Sequence, residues 1–151
     1  MVKIISLGNE LRGDDSIGPA VIEQLNKSDL SVPMNLIDAG TDAFTILDHL
    51  IGEDPIIIVD CMKMGAEPGN IKKFNIEEVT IRQIEKSISL HGFGFGEIYD
   101  MAKDIGDVAE CTLIGIEPKS IDFGEVLSDE VKDSLPFVVK MVIEEANKYG
   151  G

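Results

Sequence analysis

Short β-branched runs alternate along this chain with segments whose apolar residues fall at helical spacing. Val2-Lys-Ile-Ile-Ser-Leu7 reads as a strand and stops at the turn signal Gly8-Asn9. Ile17, Val21, Ile22 and Leu25 then follow a helical period, with Asp14-Asp15-Ser16 ahead of them as N-cap chemistry and Pro19 tolerable in the first turn. A second unit runs from Met34 to Asp38 and is punctuated by Ala39-Gly40-Thr41. Phe44, Leu47 and Leu50 or Ile51 follow on one helical face. The third opens at Pro55-Ile-Ile-Ile-Val-Asp60, whose four consecutive β-branched residues suit a strand covered on both faces. Residues 70 to 76 alternate apolar and polar and predict a half-exposed edge strand, open to antiparallel pairing, with its lysines in water. Phe95, Ile98, Met101 or Ala102, and Ile105 predict a helix over 93–105, and Cys111 to Glu117 predicts the last strand. Ser134 ahead of Pro136 predicts the start of a final helix that turns Val138 or Val139, Val142 and Ala146 inward. Such alternation predicts an α/β fold, a three-layer α/β/α sandwich with a mostly parallel sheet, as a single domain over residues 1–151.

Composition sharpens this in one respect. The 151 residues hold 28 acids against 13 lysines and arginines, a net charge of -15, so phosphate backbones and anionic lipid headgroups are repelled. Neither nucleic acid nor a membrane surface is an expected partner, and no apolar run approaches the eighteen or so residues of a membrane span. Residues 96–133 carry eleven of the acids and only three bases, whereas residues 134–151 balance at two and two. Cys61 and Cys111 each adjoin a strand-like apolar run, the expectation for buried reduced thiols in a cytoplasmic protein.

In sheets of this kind ligands bind beyond the carboxyl ends of the strands, at the point where the chain switches the side on which it builds. Asp15 follows the first strand, Asp38 ends the second, Asp60 ends the third and Glu117 ends the last. Each could be an ordinary strand-ending or capping residue, the role expected of Asp14. Together, with strands two, one and three side by side, Asp38, Asp15 and Asp60 would face one crevice, and crowded carboxylates need a cation or a shared proton. His49 falls at a surface helical position. His91, in Ser89-Leu-His-Gly-Phe-Gly-Phe-Gly96, leads into a helix N-terminus that favours a neutral imidazole able to coordinate. One imidazole and two carboxylates would suit a borderline divalent ion such as nickel or zinc. The chain lacks the Gly-x-Ser-x-Gly elbow, a complete P-loop, a full Gly-x-Gly-x-x-Gly, and the HExxH and CxxC zinc motifs.

Five segments in order resemble the maturation endopeptidases of nickel-iron hydrogenases. They are Leu7-Gly-Asn-Glu-Leu-Arg-Gly-Asp-Asp-Ser-Ile-Gly18, Asp38-Ala-Gly-Thr41, Ile57-Ile-Val-Asp60 with Glu67-Pro-Gly69, Ser89-Leu-His91, and Gly115-Ile-Glu-Pro118. Ala39 stands where the family's turn has a glycine. The resemblance implies a five-stranded sheet with one antiparallel strand. It also implies an aspartic-type endopeptidase that trims a C-terminal extension from the hydrogenase large-subunit precursor after nickel insertion. By the same resemblance Asp15, Asp60 and His91 contact the metal, which is nickel presented by the precursor and held weakly by the free enzyme. Asp38 is a further motif acid, and Asp15, Asp38 and Asp60 are the candidate catalytic carboxylates.

One alternative shares the architecture. A receiver-type signalling domain would use Asp14-Asp15, Asp60 as phosphoacceptor and Lys119, with magnesium among the carboxylates. Against it, the acidic pair sits six or more residues past the strand end, and Pro118 precedes Lys119.

Overall fold

The computed structural model describes residues 1–76 and 95–150. Five strands, β1 (Val2–Leu7), β2 (Met34–Gly40), β3 (Ile56–Cys61), β4 (Ile71–Asn75) and β5 (Cys111–Ile116), form one sheet in the order β2-β1-β3-β5-β4. The β1–β2, β1–β3 and β3–β5 pairs are parallel, and the edge strand β4 runs antiparallel to β5. Four α-helices lie among the described residues: α1 (Ile17–Lys27), α2 (Ala43–Leu50), α3 (Phe95–Ile105) and α4 (Asp129–Asn147). Helix α1 packs against α4 on one face of the sheet, and α2 packs against α3 on the other. The predicted three-layer sandwich and its half-exposed antiparallel edge are both present.

Strand pleating separates two cores. Ile5, Leu7, Ile56, Ile58 and Leu113 point into the α2/α3 layer and meet Ile46, Leu50, Phe95 and Ile98. Their neighbours Ile4, Ile57, Val59, Ile114 and Ile116 point into the α1/α4 layer and meet Ile17, Val21, Leu25, Val138 and Val142. Every residue of β3 and β5 is buried, as strands with a layer on each face require. Each fully buried aliphatic side chain contributes about 2 kcal/mol, so the layers hold the sheet independently of local helix propensity.

Helix starts depart from the local reading in three places. Phe44 is 71% exposed, and α2 buries Ile46 and Leu50 instead. The Asp42 side chain caps this helix by accepting from Phe44 N at 3.0 Å, which fixes the phase at which residues meet the sheet. Helix α4 begins at Asp129 behind the cap Ser128, six residues before Ser134. Asp129 and Glu130 suit its first turn, Ser134 Oγ donates back to the Val131 carbonyl at 2.6 Å, and Pro136 falls inside the helix. At α1 neither Asp14 nor Ser16 caps with its side chain. Gly13–Ser16 form a 3-10 turn in which Ser16 Oγ donates to the Gly13 carbonyl at 2.7 Å.

Asp14 is occupied elsewhere. Its buried carboxylate accepts from Lys119 N (2.7 Å), Ser120 N (3.1 Å), Ser128 N (2.7 Å) and Ser128 Oγ (2.9 Å). Asp14 N in turn donates to the Ser120 carbonyl at 2.9 Å, and Gly13 N to that of Glu125 at 3.2 Å. The loop after β1 is thereby fastened to the loop after β5 and to the cap of α4. Glu117 makes a second clasp, accepting from Met64 N at 2.7 Å and Ala66 N at 2.9 Å to hold the turn after β3.

A third polar fastening ties α4 to the sheet edge. Glu145 Oε2 lies 2.9 Å from both Lys73 Nζ on β4 and Lys148 Nζ. Burial works to raise this carboxyl, but the two ammonium groups outweigh it and hold the group below the ordinary glutamate range.

Two expectations follow. Asp14→Ala strands three backbone N–H donors and a hydroxyl and is expected to cost about 3 kcal/mol in urea unfolding. Glu145 binds fewer protons folded than unfolded, so its contribution is complete above the unfolded glutamate range near pH 4 and declines as pH falls through and below it. The stability difference between wild type and Glu145→Gln, followed by urea unfolding, is therefore expected to shrink from pH 7 to pH 3.

Candidate active site at the carboxyl edge of the sheet

The sheet grows from β1 outward in two directions, to β2 on one side and to β3 on the other, so the switch point lies beyond the ends of β1 and β3. The 3-10 turn carrying Asp15 packs against β3 at this point. Gly8 makes that possible: its φ is +135°, and a Cβ there would collide with the Asp15 carbonyl. Gly18 does the same for α1, where a Cβ would meet the Leu7 carbonyl at 2.6 Å, so the helix N-terminus lies directly on the strands.

Asp15 and Asp60 are both fully buried. Asp15 Oδ2 accepts from Asn9 N at 3.0 Å, an amide delivered by the turn that Gly8 opens. Asp60 is the penultimate residue of β3, in register with Gly115. The adjoining thiol of Cys61 reports the local field: burial pushes it far above the ordinary thiol range, and the carboxylates of Asp60, Asp15, Asp14 and Glu117 push it further. Burial alone raises the Cys111 thiol to about 12. Both cysteines are free, as expected of buried reduced thiols, and neither is suited to act as a nucleophile.

The three aspartates do not share one face. Asp38 is paired in register with Ser6, and Ser6 with Val59, a residue of the α1/α4 layer. Asp60 is one residue further along β3 and so turns toward the α2/α3 side. Ser6 Oγ donates to Asp38 Oδ1 at 3.1 Å, and Gly40 N donates to the same oxygen at 3.3 Å. Asp38 is exposed and borders a surface groove of about 600 Å³ that runs beside α1, where Glu10, Ser16 and Pro19 also line it. The edge therefore carries a buried pair, Asp15 and Asp60, and an exposed acid, Asp38, on the groove side.

Of the remaining candidates, Asp14 and Glu117 are committed to the loop clasps described above. His91 lies outside the described residues. His49 sits in the last turn of α2, and Lys3 near the amino end of β1 donates to its carbonyl at 3.0 Å, so it belongs to the opposite edge of the sheet. Among the described residues no three Asp, Glu, His or Cys side chains converge as a metal cage. Ser6 and Asn9 were missed as parts of the site. Ser6 had a visible signal, a lone hydroxyl in the run Val2–Leu7, and it is fully buried. Asn9 acts through its backbone and had none.

Comparison with known proteins bears on the same edge. The family model described as hydrogenase maturation protease matches residues 19–145. The hydrogenase expression/formation protein HoxM of Azotobacter vinelandii is 30% identical over 147 residues, which cover 95% of this chain and 70% of that protein. The [NiFe] hydrogenase maturation protease HybD of Thermococcus kodakarensis superposes with a TM-score of 0.76 at 32% identity, covering 96% of this chain and 98% of that one. The hydrogenase maturating endopeptidase HybD of E. coli shares the fold, with a TM-score of 0.87 at 24% identity and coverage of 99% and 93%. This assignment takes the place of the receiver alternative. The chain belongs to the hydrogenase maturation protease family.

Proposed function

We propose that this protein is the endopeptidase that removes the C-terminal extension of a nickel-iron hydrogenase large-subunit precursor once nickel has been inserted. The observation that carries this reading is the buried Asp15–Asp60 pair at the switch point of a chain belonging to the hydrogenase maturation protease family. Nickel enters as part of the substrate. Asp15 and Asp60 offer carboxylate oxygens to it, and His91 is the nitrogen donor that would accompany them. The remaining coordination positions belong to the precursor. A free enzyme that holds nickel weakly cannot cut before the precursor is loaded.

The chemistry is hydrolysis assisted by carboxylates, which is the sense in which the enzyme is of aspartic type. A water near the captured nickel attacks the scissile carbonyl, a carboxylate takes its proton, and that proton passes to the departing amine nitrogen as the C–N bond breaks. Asp15 serves as base through an oxygen not bound to nickel, its orientation fixed by the Asn9 amide and by the turn that Gly8 opens. Asp38, turned to the other face and steadied by Ser6, serves to orient the extended precursor segment along the groove beside α1. The reaction belongs in the cytoplasm, where buried thiols stay reduced; no described helix is long and apolar enough to cross a membrane.

The decisive experiment is mass spectrometry of a nickel-loaded large-subunit precursor before and after incubation with this protein, with loss of a C-terminal peptide expected. Asp60→Ala and His91→Ala are each expected to slow the cleavage by about 100-fold or more, with the circular dichroism of the folded protein retained. Normal processing by either variant would refute the nickel-capture role. Asp38→Asn is expected to raise KM more than it lowers kcat, whereas Asp15→Asn should act mainly on kcat.

A further inference from the structure

Two loops beside the candidate site present apolar side chains to water. Leu11 is 68% exposed, Phe123 69% and Val126 85%. Scattered apolar residues need no explanation, but these three lie on segments joined to each other. Gly124 N donates to the Leu11 carbonyl at 2.9 Å, and Gly13 N to that of Glu125 at 3.2 Å, so the loops following β1 and β5 are joined. The Arg12 guanidinium lies over the Phe123 ring, 5.3 Å from its centroid. Arg12 Nε is buried without a hydrogen-bond partner among the described residues.

The position of this unit ties it to the site. Asp15 N donates to the Arg12 carbonyl at 3.0 Å, so the segment that bears Leu11 and Arg12 is the one that seats Asp15. Glu10, adjacent to Leu11, lines the groove that runs past Asp38, so the segment bearing Leu11 also borders that groove. Acids flank the exposed side chains: Glu10 on one loop, Asp122 and Glu125 on the other, all exposed. Two copies of this chain meeting through the surface would bring these acids together, and an anionic lipid surface would be repelled by them. A partner that covers Phe123 and Val126 and carries lysine or arginine around its contact area satisfies both features.

We propose that the joined loops 9–12 and 121–127 are the docking surface for the large-subunit precursor, which they engage through apolar side chains flanked by acids that face lysine or arginine on the precursor. The proposal rests on the function given above, and it assigns substrate recognition to a surface separate from the groups that contact the scissile bond.

The test compares wild type, Phe123→Ser/Val126→Ser, Asp122→Lys/Glu125→Lys, Asp60→Ala and the control Phe137→Ser, an exposed residue of α4. Binding of nickel-loaded precursor and its cleavage are measured for each. The apolar double variant is expected to lower kcat/KM about tenfold, with the loss carried by KM. The charge-reversed variant is expected to do the same at low salt, with its deficit shrinking as salt rises. Asp60→Ala should lose cleavage, and Phe137→Ser should match wild type. Wild-type KM in both double variants would overturn the docking surface while leaving the enzymatic function intact. Absence of cleavage by wild type would instead remove the function on which it rests. Sedimentation equilibrium adds one further outcome: self-association of wild type that the apolar double variant abolishes would assign the surface to a second copy and overturn the proposal.

Discussion

The carboxylate of Asp14 is buried, forms no salt bridge among the described residues and accepts from three backbone amides and the hydroxyl of Ser128. A charge in that setting is tolerable only while every donor stays in place. It therefore fixes the loop after β1 against the loop after β5 and sets where α4 starts. The arrangement of the carboxyl edge follows from this. Asp15 is the next residue, so the clasp also fixes the turn that presents it to β3. Gly8 and Gly18 complete the constraint by letting backbone approach where any side chain would intrude.

Strand pleating supplies the second constraint. Ser6, Asp38 and Val59 share one face of the sheet, and Asp60 belongs to the other. An enzyme with its acids so divided can separate two tasks. In the proposed function the buried pair meets the nickel and the reacting carbonyl, while the exposed acid and the groove beside α1 guide the chain to be cut. The joined loops extend the same division outward, so that holding the precursor and cutting it fall to different residues.

The acidity of the chain takes on a more particular meaning in this light. Asp14, Glu117 and Glu145 are spent on fastening loops and a helix, and Asp15 and Asp60 on the switch point. Glu10, Asp122 and Glu125 stay in water around exposed apolar side chains. A net charge of -15 thus combines structural, site and surface contributions that composition cannot separate.

Periodicity determined the layer order, the buried central strands and the half-exposed edge strand, because burial on one face or two leaves a direct trace in the spacing of apolar residues. The positions of Asp15, Asp38 and Asp60 at strand ends were equally legible, since a strand-to-helix boundary is local. What only the tertiary structure decided is what each carboxylate does there. Asp14 and Asp15 are adjacent and chemically identical, yet one is held by amides more than a hundred residues away and the other by Asn9. Asp38 and Asp60 look equivalent along the chain, yet register and pleat send them to opposite faces. The start of α4 had the same character, because the cap at Ser128 is chosen jointly by its own helix and by Asp14. Local spacing encodes which face is dry, whereas the partner of a buried charge is set by whichever distant donors the fold brings within reach.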